Sequence, residues 1–385
     1  MKYTATFLFL ISVLFQACRG DVVVWPSEQE NAGTARKDKV CGFYLLNEGN
    51  MGSNKSTLDY YDFSTGVYQR NIYGSANPAV VKELGDVGND LQIYGSRMWA
   101  VINCSNKIEV MKARTAERLG QVELANCRFL CFSGQYAYAT SYAGPVTINP
   151  DYEQKGVVVR IDTATLESLD TCIVGFQPDG IAVADGMLFV ANSGGYMYPN
   201  YESTVSVVDL VSFSERQRIT VEKNLHMLLA DSHGQLWVSS RGDYYGTESS
   251  LFCITSPTSS APQVKRVLTP DGENIAVGNM TLCGDSLYVI AKSFSYLTGK
   301  SEATYRIIDV TTHRIVSQKF ITDGTEERIS EPYGIAVHPL THEIFLADAR
   351  NMVNPGRLFC FSLEGILQWE VRTGDIPAHF AFLWE

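Results

Sequence analysis

The stretch Gln177–Gly195, QPDGIAVADGMLFVANSGG, continues after an insert into Ser203–Val221, STVSVVDLVSFSERQRITV. It reads as a short apolar strand, a glycine turn, a β-branched and aromatic strand, the insert, and two further strands in hairpin. The same opening strand recurs at Asn89 (NDLQIYG), Asn126 (NCRFLCFSG), Pro178 (PDGIAVADG), Leu225 (LHMLLADSHG), Gly278 (GNMTLCGD), Pro332 (PYGIAVHP) and Pro377 (PAHFAFL), which makes seven copies. The second strand also recurs seven times: GFYLLNEG, RMWAVIN, YAYATSY, MLFVANS, QLWVSSRG, SLYVIAK and EIFLADA. A spacing of roughly 40 to 55 residues is that of propeller blades. Third strands such as YRIIDVTT, VVRIDTAT and STVSVVDL end in Asp followed by Thr or Ser, residues whose side chains close turns onto the backbone.

The chain ends fix the closure. The first second strand, at Gly42, has no opening strand before it, and the last opening strand, at Pro377, has no partner after it. Together they complete one blade, which pairs the two ends of the chain and removes a free sheet edge. The predicted fold is all-β: a seven-bladed β-propeller over residues 41–385, its ring closed by the C-terminal strand.

Ahead of this ring, MKYTATFLFLISVLFQAC carries one positive charge at Lys2, an apolar run from Phe7 to Phe15, and Ala17 before Cys18. It reads as a lipoprotein signal peptide over residues 1–17, with Cys18 as the lipid-bearing residue. Residues 18–40 mix charge, Pro, Gly and Ala without a period, which predicts a flexible tether. Nothing later is long and apolar enough to span a bilayer as a helix. The expected state is exported and lipid-anchored.

A formal net charge of −11 argues against nucleic acid or an anionic lipid surface as partner. Nine cysteines suggest a disulfide framework at first. Cys253 and Cys360, however, sit inside apolar strands and no CxxC occurs, so buried free thiols are the reading, with cross-strand pairs left open. Cys127 and Cys131, on one strand, are too far apart to bridge.

In a propeller, the connections from second to third strand lie on the same face as the starts of the inner strands. Six of them are long here: NEGNMGSNKSTLDYY, SYAGPVTINPDYEQKG, NSGGYMYPNYEST, SRGDYYGTESS, AKSFSYLTGKSEATY and DARNMVNPGR, and INCSNKI alone is short. Long connections of this kind are usually functional. They concentrate Tyr142, Tyr152, Tyr196, Tyr198, Tyr201, Tyr244, Tyr245, Phe294 and Tyr296, with Met51, Met197 and Met352 and many Asn, Ser and Gly. Tyrosine combines a stiff apolar face with one hydroxyl, so the pattern suits a bulky, partly apolar, amide- or hydroxyl-rich ligand, or a protein partner. The alternative is that these rings pack loop against loop. Gln177, Tyr333 and His379, at inner-strand starts, are the candidate inner contacts.

Catalytic signatures are sparse. The six histidines show no metal-binding spacing, and only His226 and His379 start inner strands on the loop-rich face. No GxSxG elbow or phosphate loop is present. Glu48, Asp90, Asp179, Asp243 and Glu331 could hold a calcium or zinc ion in the manner of lactonase-type propellers, although Asp179 in PDG reads more simply as a turn residue. The expectation is a binder and not an enzyme, with no catalytic residue and no cofactor.

The segments LLNEGNMGSNKSTLDYYD (Leu45–Asp62), YGIAVHPLTHEIFLADARN (Tyr333–Asn351) and IPAHFAFLW (Ile376–Trp384) resemble the YncE-like or DUF5074-type propeller lipoproteins of Gram-negative gut bacteria. The best understood functional type within that resemblance, the BtuG-type lipoprotein, implies capture of vitamin B12 (cobalamin or a related corrinoid) at the outer-membrane surface and transfer to a TonB-dependent transporter. The resemblance thus implies a lipid-anchored location on the outer membrane. A glycan- or siderophore-binding module and a metal-dependent lactonase remain the alternatives.

Overall fold

Outer strands and second strands of each blade differ in pattern, and the difference follows from their place in a ring. The fourth strand of one blade, Ser214–Thr220 (SERQRIT), alternates polar residues along an exposed rim, whereas the second strand, Met187–Asn192 (MLFVAN), is buried almost throughout. A strand sandwiched between two neighbouring blades has no solvent face, so its apolar run is continuous. In the computed structural model, which describes residues 28–80, 83–295 and 300–385, this arrangement repeats in seven sheets.

The blades are numbered here by their inner strands: Gly88–Tyr94, Cys127–Ser133, Pro178–Ala184, Leu225–Ala230, Asn279–Cys283, Pro332–Val337 and Pro377–Trp384. All seven are the opening strands predicted from the repeat. In blade 7 the C-terminal Pro377–Trp384 pairs with Val40–Asn47, with Phe382 opposite Phe43 and Phe380 opposite Leu45, and Thr57–Asp62 and Val67–Arg70 follow outward. The predicted closure is therefore present. Neighbouring blades share cores: Phe43, Leu45 and Tyr61 of blade 7 pack on Phe345, Ala347 and Leu358 of blade 6. Each such aromatic or leucine buried contributes about 1.5–3 kcal/mol. The predicted Asp turns also form, since Asp162 Oδ1 accepts the N–H of Ala164 and Thr165, and Asp209 Oδ1 those of Val211 and Ser212.

Two expectations need correction. Over its described part the segment predicted as a tether is built into the ring. Glu28–Asn31 adds a fifth strand to blade 7, pairing Asn31 with Val67, and beyond it the Arg36 guanidinium grips Glu343 at 2.8 and 2.5 Å while stacking over Phe63. Asp38 lies 3.2 Å from the buried His338. A bidentate ion pair and main-chain pairing hold what composition alone suggested would be loose. Second, the insert AKSFSYLTGKSEATY is not a free loop: Ser286–Ser295 and Lys300–Asp309 run as one long hairpin, with Phe294 opposite Ser301 in its backbone register. The signal peptide and Cys18 lie outside the described residues. The eight described cysteines are free, with no disulfide among them.

Candidate binding site at the ring axis

Aligning the blades at their inner strands brings one register position onto the axis seven times: Asn89, Arg128, Asp179, His226, Asn279, Tyr333 and Ala378. The inner strands start on the loop-rich face and carry these side chains toward a central cavity of about 870 Å³. Arg128, His226, Asn279, Tyr333 and His379 line it, together with Glu48 from the end of the second strand of blade 7 and Arg241 from the loop after that of blade 4. Two amides knit the ring between blades, Asn89 Nδ2 donating to the Arg128 carbonyl at 2.8 Å and Asn279 Nδ2 to that of Tyr333 at 2.9 Å.

Asp179 is the hub of one wall. It is fully buried; Oδ1 accepts from Arg128 Nε and the Tyr142 hydroxyl, each at 2.9 Å, and Oδ2 accepts from Arg241 Nη1 at 3.0 Å. Burial alone would raise its pKa, but the guanidiniums of Arg128 and Arg241 overcome that and hold it well below the usual carboxylate range. His226 Nδ1 lies 3.1 Å from Asp179 Oδ2 and 2.8 Å from Arg241 Nη2. One Nδ1 cannot serve both, and an arginine nitrogen can only donate. As a donor Nδ1 gives to Asp179, and as an acceptor it takes from Arg241, so the two contacts belong to alternative tautomers. The neutral form fits the environment, since burial and then the Arg241 charge push the His226 pKa down to about 4.

The opposite wall is built on Glu48. Its Oε2 accepts from the Tyr333 hydroxyl at 2.9 Å and its Oε1 lies 3.1 Å from His379 Nε2. Burial, followed by the Glu48 charge, raises the Tyr333 phenol well above its ordinary value, so it stays a donor. Beside this wall Asp90 is enclosed by the N–H groups of Leu91 and Leu130 and by Gln92 Nε2.

The aromatic residues predicted for the face separate into layers. Tyr142 is buried beneath the cavity wall on Asp179, with Arg128 5.1 Å from its ring, and Tyr196 meets it edge-on at 6.3 Å. Tyr152 is buried too, its hydroxyl donating to the Pro145 carbonyl within its own loop. Outside them stand Tyr198, Tyr201, Tyr244 and Tyr245: Tyr198 contacts Tyr201 at 6.1 Å and Tyr245 at 5.7 Å, and Tyr244 and Tyr245 are 68% and 82% exposed. This outer shelf starts three residues after Arg241, on the same loop-rich face. The side chain of Phe294 and all of Tyr296 lie outside the described residues.

Among the inner candidates, Tyr333 and His379 do line the cavity. Gln177 does not. It is fully buried at φ 47°, its Oε1 accepting the Tyr196 N–H at 2.7 Å, so it props the blade 3 loop from beneath. Asp179, read as a turn residue, is instead the organising carboxylate. Arg128 and Arg241 were missed, although the register of the inner strands points directly to Arg128. Among the described residues no three His, Cys, Asp or Glu side chains converge in a way that could hold a metal ion.

The sequence matches the family described as domain of unknown function DUF5074 over residues 41–355. The chain belongs to the DUF5074 family. This family member matches no curated protein. Among solved structures it is similar to a quinonprotein alcohol dehydrogenase-like protein from Bacteroides thetaiotaomicron, at 12% identity and TM-score 0.58 over 91% of this chain and 80% of that one. It is also similar to streptogramin B lyase, at 12% identity and TM-score 0.53 over 90% and 93%. Apo AztD from Citrobacter koseri follows at 11%, TM-score 0.50, over 89% and 97%. At these identities the likeness is one of fold.

Proposed function

We propose that this DUF5074 propeller is a non-enzymatic capture module anchored to the outer membrane through Cys18. Its loop-rich face takes a bulky, partly apolar molecule edged with amides, a corrinoid such as cobalamin, for transfer to a TonB-dependent transporter. The observation that carries this reading is the cluster of Tyr198, Tyr201, Tyr244 and Tyr245 on the loop-rich face, in which Tyr198, Tyr244 and Tyr245 are exposed. Exposed tyrosines cost little entropy to fix against a flat ring, and each keeps a hydroxyl for an amide at the rim. The ligand class comes from the family resemblance. The experiment is direct: protein mixed with cyanocobalamin at micromolar concentration is passed over a gel-filtration column. A coloured protein peak that fades in the Tyr198→Ala, Tyr244→Ala, Tyr245→Ala triple variant is expected. A colourless wild-type peak sinks the corrinoid assignment.

A further inference from the structure

We infer that the axial cavity is a second site, separate from the tyrosine shelf, which binds a small zwitterion with its carboxylate on the Arg128–Arg241–His226 wall and its ammonium on Glu48. Three observations carry this.

The first is a charge surplus. Two guanidiniums, Arg128 and Arg241, share the single carboxylate of Asp179. Arg128 uses only Nε on Asp179, and its terminal nitrogens hold no hydrogen bond in the described protein although the residue lines the cavity. The Arg128 side chain is partly exposed, so these nitrogens are open to the cavity, and a planar guanidinium fork suits a carboxylate.

The second is the place of His226. Its Nδ1 is engaged by Asp179 and Arg241, its Nε2 holds no hydrogen bond among the described residues, and it lines the cavity beside both arginines.

The third is the facing wall. Glu48 receives one hydroxyl and stands against one imidazole, which leaves lone pairs on both oxygens, and it lines the same cavity from blade 7 while the arginines line it from blades 2 and 4. A dianion such as phosphate would meet repulsion from Glu48. A molecule with one negative and one positive end matches both walls at once.

The experiment titrates the full chain, by ligand-observed NMR, with a series of ω-amino acids from glycine to 6-aminohexanoate and with the carboxylates of equal length that lack the amine. At least one ω-amino acid is expected to bind about tenfold tighter than its matched carboxylate, the value of one charge-assisted contact. Glu48→Gln keeps the shape of the side chain and one acceptor oxygen for Tyr333 but removes the charge, and is expected to erase that difference. Arg241→Gln is expected to weaken both series about tenfold, and if its melting curve shows loss of fold, Arg128→Lys replaces it. Three results overturn the inference: no ω-amino acid binding at millimolar concentration, equal binding of amino acid and matched carboxylate, or a preference untouched by Glu48→Gln. Because no corrinoid enters the assay, its failure is distinct from failure of the cobalamin test.

Discussion

Tyr142 and Tyr245 come from equivalent inserts on one face of the ring, yet one is 2% exposed with its hydroxyl on Asp179 and the other is 82% exposed. The inner residue joins a buried ionic network, where removing the shared carboxylate strands two guanidiniums. The outer one rests on a neighbouring ring and on solvent. The contrast separates two layers in a surface that composition presents as one: an inner layer that shapes the cavity and an outer layer free to meet a ligand.

The comparison breaks most severely at Asp179. Asp179→Ala leaves Arg128 and Arg241 facing each other without their shared carboxylate. A loss of about 3–5 kcal/mol is expected in urea unfolding, the usual consequence of stranding a buried charge. Loss of less than about 1 kcal/mol would mean that water already screens this wall.

Acid tests the same layer through His226. Its folded pKa is pushed down to about 4, burial being the main cause, from an unfolded value near 6.5. As pH falls below about 6.5 the unfolded chain takes up the proton while folded His226 stays neutral. Stability therefore falls, and the loss stops growing below about 4, where the folded state protonates as well. The contribution is up to about 3 kcal/mol across that window. Burial also lowers His313 and His338, so the informative quantity is the difference between wild type and His226→Asn, whose amide keeps a hydrogen-bonding group but does not titrate. The variant should show a shallower decline between pH 6.5 and 4. Parallel curves would exclude His226 as the titrating group.

These layers explain what the sequence made legible. Inner and second strands were readable because a blade repeats its apolar pattern and because the ring needs a partner for the unpaired strand at Gly42. Tyr333 and His379 were readable because position within the repeat placed them at the axis. Asp179 was not, since PDG is a turn signal in isolation and its role depends on Arg128 and Arg241 from two other blades. Gln177 failed for a related reason: the left-handed backbone that turns it inward is invisible in a residue type that seldom adopts it. Arg36 and Asp38 looked like tether because their partners, Glu343 and His338, lie almost a full chain length away. For Asp179, Arg36 and Asp38 the missing information was a contact between blades, and for Gln177 a backbone conformation within blade 3; no local pattern encodes either.

The smallest expected effect is the most discriminating for the two layers. Tyr142→Phe removes a hydroxyl from a buried carboxylate and should cost about 1–2 kcal/mol, because Asp179 then loses a donor that solvent cannot replace. Tyr244→Ser with Tyr245→Ser removes two exposed rings and should change stability by no more than about 0.5 kcal/mol, read in the same urea titration. Capture of cyanocobalamin should move the opposite way, nearly intact in Tyr142→Phe and lost in the double variant. If the double variant instead melts early and Tyr142→Phe abolishes capture, the outer tyrosines are loop packing and the ligand reaches through to the inner layer. The cavity wall, and not the shelf, would then be the surface that the ligand meets.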